Sequence, residues 1–276
     1  MTAGVVLALA GCSNGTRSVV NGLGLANSDP ASDYPHAPVA DAARVAEDLG
    51  GAAPVLLDQI PPAHPGTPLI VSRGPRGTNQ IALTIDDGYC GPCIEKYVAF
   101  AQSSGIHITF NPNGAFGALW TPQLVDVVRP MIANQQVQIG NHTFSHPNLT
   151  TLSTGAISSE LERNENWIQQ TFGITSRPWF RPPYGDYDNR VEQTAGELGY
   201  TNVLMWNGSF GDSTAISPQQ LLGLAEKYLT PGTIMLGHLN HPTILSLFGR
   251  IEQIIAERKL APVTLDEMFG TSRMVG

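Results

Sequence analysis

The chain has 276 residues, of which 42 % are hydrophobic and 14 % charged, a balance that supports a folded core and excludes a largely disordered protein. Its 15 basic and 23 acidic residues leave a formal charge of −8. A surface of that sign offers no footprint for nucleic acid or an anionic bilayer, so neutral or cationic partners are expected.

In chain order, the first feature is a short apolar run over 3–10, leading into Leu9-Ala10-Gly11-Cys12 and the polar Ser13-Asn14-Gly15. It resembles the lipobox of a bacterial lipoprotein signal peptide, in which the cysteine is lipidated. The run is too short to span a bilayer. Residues 1–12 are therefore read as a signal, with Cys12 as the lipidation site. This implies an exported, cell-envelope protein that meets the membrane only through its lipid. No Lys or Arg precedes the run, and an ordinary apolar N-terminus around a chance cysteine is the competing reading. Residues 13–65 are rich in Ala, Pro, Ser, Asn and Gly, and read as a tether or an N-terminal arm. The main domain is expected over 66–276.

Within it, β-type runs at 80–85, 106–110, 137–139, 179–180, 202–206, 233–236 and 262–265 alternate with helical patterns. The helices are expected at 94–104, 121–135, 155–172, 189–198, 217–229 and 243–260, with Thr121 and Ser217 as N-caps before a proline. Such alternation implies parallel pairing with helices outside. About seven strands in this length fit a small α/β fold, a deformed, seven-stranded (β/α) barrel. Chemistry in such a barrel collects at the C-terminal ends of its strands, and reactive residues do collect there.

The first strand ends in Thr84-Ile85-Asp86-Asp87-Gly88. Neighbouring side chains on an extended chain point to opposite sides, so one carboxylate can face a metal and the other a substrate water. The third strand ends in Gly140-Asn141-His142-Thr143-Phe144-Ser145-His146-Pro147. Its two histidines can share an ion only if the backbone between them turns. Two imidazoles and one carboxylate leave a position open for water, the pattern of catalytic zinc, although cobalt and nickel suit the same donors. Beyond the fourth strand comes Arg181-Pro182-Pro183-Tyr184-Gly185, a stiff loop whose arginine can hold a carboxylate. Leu236 and His238 end the sixth strand and point the same way. Each pattern alone also fits an ordinary turn, loop or core histidine.

Together these segments resemble the NodB-homology polysaccharide deacetylases, carbohydrate esterase family 4, over about 200 residues from Gln80 onward. The resemblance is carried by Thr84–Gly88 as T-[FI]-D-D-G, His142–His146 as H-[ST]-x-x-H, Arg181–Gly185 as R-P-P-Y-G, and Leu236–His238 as L-x-H. It implies a divalent metal, usually zinc, held by Asp87, His142 and His146. Asp86 would be the general base, positioned by Arg181, and His238 the general acid. The Tyr184 backbone N–H would help hold the oxyanion. Pro183, Tyr184, Trp206 and Leu236 would line the substrate, with Leu236 at the acetyl group. The implied activity is removal of N-acetyl groups from amino sugars of a cell-wall or chitin-type glycan, by a monomer. Alternatives are an O-acetyl esterase or a non-catalytic glycan-binding lipoprotein on the same fold.

The segment Trp206-Asn207-Gly208-Ser209-Phe210-Gly211-Asp212-Ser213 departs from the family pattern. It places Ser209 where the carboxylate that tethers the acid histidine is expected, and Ser213 where a tryptophan is expected. A serine there cannot stabilise a charged His238 imidazolium as a carboxylate does, although Trp206 and Asp212 of the pattern are kept. Leu239 replaces an acidic residue that commonly follows the histidine. Cys90-Gly91-Pro92-Cys93 matches the redox motif of thioredoxin, but in an exported protein a close pair reads first as a structural disulfide.

Overall fold

A computed structural model describes residues 64–271; Cys12, the signal and nearly all of the expected tether lie outside the described residues. In chain order the elements are β1 (Leu69–Val71), β2 (Gln80–Asp87), α1 (Gly91–Ser104), β3 (Ile108–Pro112), α2 (Pro122–Ala133), β4 (Val137–Ile139), α3 (Thr154–Phe172) and β5 (Trp179–Phe180). They continue with α4 (Asn189–Glu197), β6 (Asn202–Leu204), β7 (Gly208–Ser209), α5 (Pro218–Tyr228), β8 (Ile234–His238), α6 (Phe248–Glu257), β9 (Ala261–Pro262) and α7 (Leu265–Phe269). Short 3₁₀ turns lie between some of them. No helix among the described residues is long and apolar enough to cross a membrane.

The ladders are all parallel, in the orders β4-β3-β2-β8-β7 and β1-β6-β5, with β9 added to β2. One parallel bridge, Asn141 to Phe180, joins the end of β4 to β5, and an antiparallel bridge, Arg73 to Thr233, joins the other seam. The result is an α/β fold of the (β/α)-barrel type, deformed because two seams hold by single bridges. β2 sits at its centre and is buried on both faces, which explains why Ile81-Ala82-Leu83 reads as a continuous apolar run rather than an alternating one.

Local signals account for most helix boundaries. Thr121 Oγ1 accepts from Leu124 N at the start of α2, and Ser217 forms a full capping box with Gln220 at the start of α5. In α1, Ile94, Tyr97, Val98 and Ala101 repeat at helical spacing and are buried against the sheet. Phe110 on β3 is fully buried there against Trp120, with ring centroids 5.7 Å apart. Truncating such a residue to alanine costs about 3–5 kcal/mol. A second cluster, including Leu149, Phe180, Tyr200 and Val203, fills the space under α3 and α4.

Three expectations shift. β1 and β7, three and two residues long, have no counterpart in the sequence reading. The helix expected at 243–260 divides into a 3₁₀ turn at Pro242–Ser246 and α6. The strand expected at 262–265 is only Ala261–Pro262, because Thr264 and Glu267 form a capping box that starts α7 at Leu265.

Candidate active site

Parallel registry aligns Asp86 with Asn111 of β3 on one side and His238 of β8 on the other. The Asp86 carboxylate is 2 % exposed, and its Oδ1 accepts from Arg181 Nη1 at 2.6 Å and Asn111 Nδ2 at 2.8 Å. Arg181 is itself 1 % exposed and also donates from Nη2 to Thr84 Oγ1 at 2.7 Å. Burial pulls its guanidinium below the ordinary value, against the opposing attraction of Asp86. With Oδ1 fixed, Asp86 presents Oδ2 toward His142 Nε2, 3.7 Å away. One oxygen is anchored and the other faces the reacting space.

Asp87 leaves the strand with φ 68, which turns its side chain away from that of Asp86. The two histidines of the β4 loop are brought together by left-handed backbone at Thr143 (φ 68) and His146 (φ 59). Asn113 Nδ2 donates to the carbonyls of His142 and Thr143, while Glu160 accepts from both the N–H and the hydroxyl of Ser145. Those bonds hold a loop conformation that is rare for non-glycine residues. His142 Nδ1 donates to the Arg181 carbonyl at 2.8 Å, which turns Nε2 inward.

The Nε2 atoms of His142 and His146 each lie 3.4 Å from Asp87 Oδ1, and the donor atoms of all three lie within 4.8 Å of one another. At that distance neither imidazole hydrogen-bonds well to the carboxylate, and Oδ1 is buried with no hydrogen-bond partner. Burial works to raise the Asp87 pKa, but the charges of His146, His142 and His238 outweigh it and hold the carboxyl well below its usual range. Burial pushes His146 down to about 4, so its imidazole is neutral at neutral pH. For His142 the attraction of Asp86 and Asp87 overcomes burial and raises the pKa, so this spot favours positive charge. An orphaned oxygen, two inward imidazoles and a negative local field fit a divalent cation.

His238 ends β8 in register with Asp86, and here an expectation is corrected. Its Nδ1 donates to Asp212 Oδ1 at 2.9 Å and its backbone N–H to Asp212 Oδ2 at 3.2 Å. The tethering carboxylate is therefore present, supplied by Asp212 rather than from the Ser209 position. Gly211, with φ 70, turns the chain so that Asp212 reaches back to β8, while Ser209 Oγ accepts from Gly211 N. Burial lowers the His238 pKa, but the hydrogen bond and charge of Asp212 dominate and raise it to about 9. Leu239 is fully buried, so an acidic residue there would stand in the core.

Leu236 and Pro183 are buried close by, whereas Tyr184 and Trp206 are half-buried at the rim. The Tyr184 ring lies 4.7 Å from that of His146, and its backbone is left-handed at φ 61. Gly185 must be glycine, since a Cβ would come within 2.8 Å of the Trp206 ring. Cys90 and Cys93 form a disulfide at the start of α1. Asn111, Asn113 and Asn240 were not singled out by sequence. The available signal was a lone amide at a buried strand position, as in Ile108-Thr109-Phe110-Asn111.

A parallel barrel whose strand ends gather two buried carboxylates, three imidazoles and a buried arginine has the composition of a catalytic domain. Residues 73–203 match the family model of the polysaccharide deacetylases. That match stops before Asp212 and His238, whose arrangement rests on the geometry above. Chitin deacetylase 1 of Cryptococcus neoformans var. grubii is 34 % identical over 139 residues, 50 % of this chain and 28 % of that protein. The crystal structure of Bc1960, a peptidoglycan N-acetylglucosamine deacetylase, superposes with a TM-score of 0.61 at 25 % identity, covering 74 % of this chain and 94 % of that one. BA3943 of Bacillus anthracis, described as a pseudoenzyme of carbohydrate esterase family 4, shares the fold with a TM-score of 0.61 at 23 % identity, over 74 % and 69 % of the two chains. The chain spans between 28 % and 62 % of the length of four curated relatives that it matches.

Proposed function

We propose that this protein is a divalent-metal-dependent hydrolase that removes N-acetyl groups from the amino sugars of a cell-wall or chitin-type glycan. The observation that carries this reading is a buried, anchored Asp86 and a tethered His238, registered partners at the ends of β2 and β8, gathered with the Asp87–His142–His146 cluster. A metal on those three residues would supply Lewis acidity, polarising the acetyl carbonyl and acidifying water. The oxygen of Asp86 that faces the site takes the proton of the attacking water. His238, charged at neutral pH and with Nδ1 engaged, offers Nε2–H to the departing amine. The Tyr184 N–H is the backbone donor to the developing oxyanion, and Leu236 and Pro183 form the apolar wall for the acetyl methyl. Acetate and a free amine leave.

Zinc is the metal we favour for this donor set, with cobalt and nickel as substitutes. An exported location is supported by the Cys90–Cys93 disulfide, since such bonds persist in oxidising compartments. The reading as a glycan binder without turnover drew on a missing tether for His238, and Asp212 removes that ground. The test is acetate release from N-acetylated chitooligosaccharides and peptidoglycan, before and after metal is stripped and zinc restored. Release that needs zinc supports the proposal. No release from either glycan with one metal bound per chain rules it out.

A further inference from the structure

The two oxygens of the Asp87 carboxylate have different surroundings. Oδ1 faces His142 and His146 and has no hydrogen-bond partner. Oδ2 accepts a hydrogen bond from Asn240 Nδ2 at 2.5 Å. The other end of the same amide, Asn240 Oδ1, accepts from Gly88 N at 3.4 Å. Asn240 is 5 % exposed and lies in the segment after β8, 153 residues from Asp87 along the chain. One side chain therefore clasps both residues of the turn that ends β2.

That turn needs a clasp. Asp87 is left-handed at φ 68, and Gly88 follows at φ 133. Left-handed backbone at a non-glycine residue costs about 1–2 kcal/mol and persists where the surroundings over-determine it. A primary amide carries a donor and an acceptor at fixed spacing, so it can satisfy a carboxylate oxygen and a backbone N–H together. A carboxylate lacks the donor, a leucine lacks both, and a serine hydroxyl is too short to span them. The amide also adds no charge beside a cluster that must stay net negative to attract a cation.

We infer that Asn240 is a positioning residue for metal binding. By occupying Oδ2 it restricts Asp87 to ligation through Oδ1 alone. A carboxylate released from that bond would be free to rotate, so Oδ1 would no longer be held between the two imidazoles. This rests on the reading of Asp87, His142 and His146 as metal ligands. Hydrogen bonds to the far side of a ligand typically change metal affinity by about 10–100-fold, which sets the size of the effect.

The experiment measures zinc affinity of metal-free protein by competition with a chromophoric chelator. Visible absorption of the cobalt-substituted form is the second readout. Wild type, Asn240→Ala, Asn240→Leu, Asn240→Ser and Asp87→Ala are compared, and only variants with a cooperative thermal transition are scored. Any Asn240 variant that folds is expected to bind zinc about 10–100-fold more weakly, with a changed cobalt spectrum. Zinc affinity within twofold of wild type in a folded variant overturns the inference. So does weakened binding with an unaltered cobalt spectrum, which would indicate general loosening rather than a change at Asp87. If wild type binds zinc no better than Asp87→Ala, the metal-ligand reading itself fails, a result distinct from the other two.

Discussion

Asp212 and His238 form a buried pair, Oδ1 to Nδ1 at 2.9 Å, in which the carboxylate keeps the imidazole charged well above the usual histidine range. In the proposed chemistry His238 donates a proton, so its useful form is the one that prevails below about pH 9. Activity is expected to fall as pH rises through that value. In Asp212→Asn the carboxylate is gone while burial remains, so the pKa drops and the alkaline limb moves to lower pH. At pH 8, kcat/KM should fall about 100-fold, within the usual span for lost acid catalysis. Stability follows the same sign. The folded pKa lies above the unfolded value, so the contribution is complete below about pH 6.5 and lost as pH rises through about 9. A pH–rate profile of both proteins checks this, and coincident alkaline limbs would refute it.

Asp86→Asn separates chemistry from assembly. The amide cannot take a proton from water, yet it is isosteric and remains within reach of Arg181 and Asn111. Turnover should drop by about 10²–10⁴-fold, with metal content and glycan binding near wild type. Retention of more than a tenth of wild-type turnover would show that another group is the base.

Arg181→Met tests the other half of the same ion pair. It leaves the Asp86 carboxylate buried without its cation, and also strips a partner from Thr84. Breaking a buried pair in this way costs about 3–5 kcal/mol, far more than loss of an exposed one. Denaturant unfolding should show a loss of that order, with turnover falling at the same time. A loss under about 1 kcal/mol would mean that the interior relaxes around the unpaired charge.

Much of this site was legible because its residues stand at strand ends in short, ordered motifs. Asp86, Asp87, His142, His146, Arg181 and His238 converge because parallel registry puts the C-terminal ends of β2, β4, β5 and β8 together. The role of Asp212 was not legible. Counting positions from Trp206 pointed to Ser209, whereas the left-handed turn at Gly211 decides which carboxylate faces His238. Asn240 was hidden for a similar reason, since its partner lies 153 residues away and no local pattern encodes the pair. β1 and β7 fell below the length at which alternation becomes visible. Thr264 failed in the opposite sense: its capping box was present in the sequence, but the adjacent apolar residues were read as strand.

The Asp87–His142–His146 cluster makes a stoichiometric prediction. With three donor residues offering one atom each, a single divalent ion should bind per chain. Elemental analysis of wild type after zinc loading should return about one equivalent. His146→Ala, which removes the least buried member of the cluster, should return less than a third of that under the same dialysis. Equal metal content in the two proteins would place the ion elsewhere.

The Cys90–Cys93 bond closes a loop of separation 3 beside the turn that carries Asp87. Cys90 also donates its backbone N–H to the Leu239 carbonyl, so the bonded pair braces the start of α1 against the segment after β8. A loop this short constrains the unfolded chain only modestly, by about 2 kcal/mol in the chain-entropy account. Replacing both cysteines with serine should therefore lower stability by roughly that amount and leave the fold intact. Turnover should fall by less than tenfold, because neither sulfur takes part in the proposed chemistry. Alkylation of denatured protein without reductant should label neither position. Label at both, or loss of all turnover in the folded double variant, would return the pair to consideration as a working thiol site.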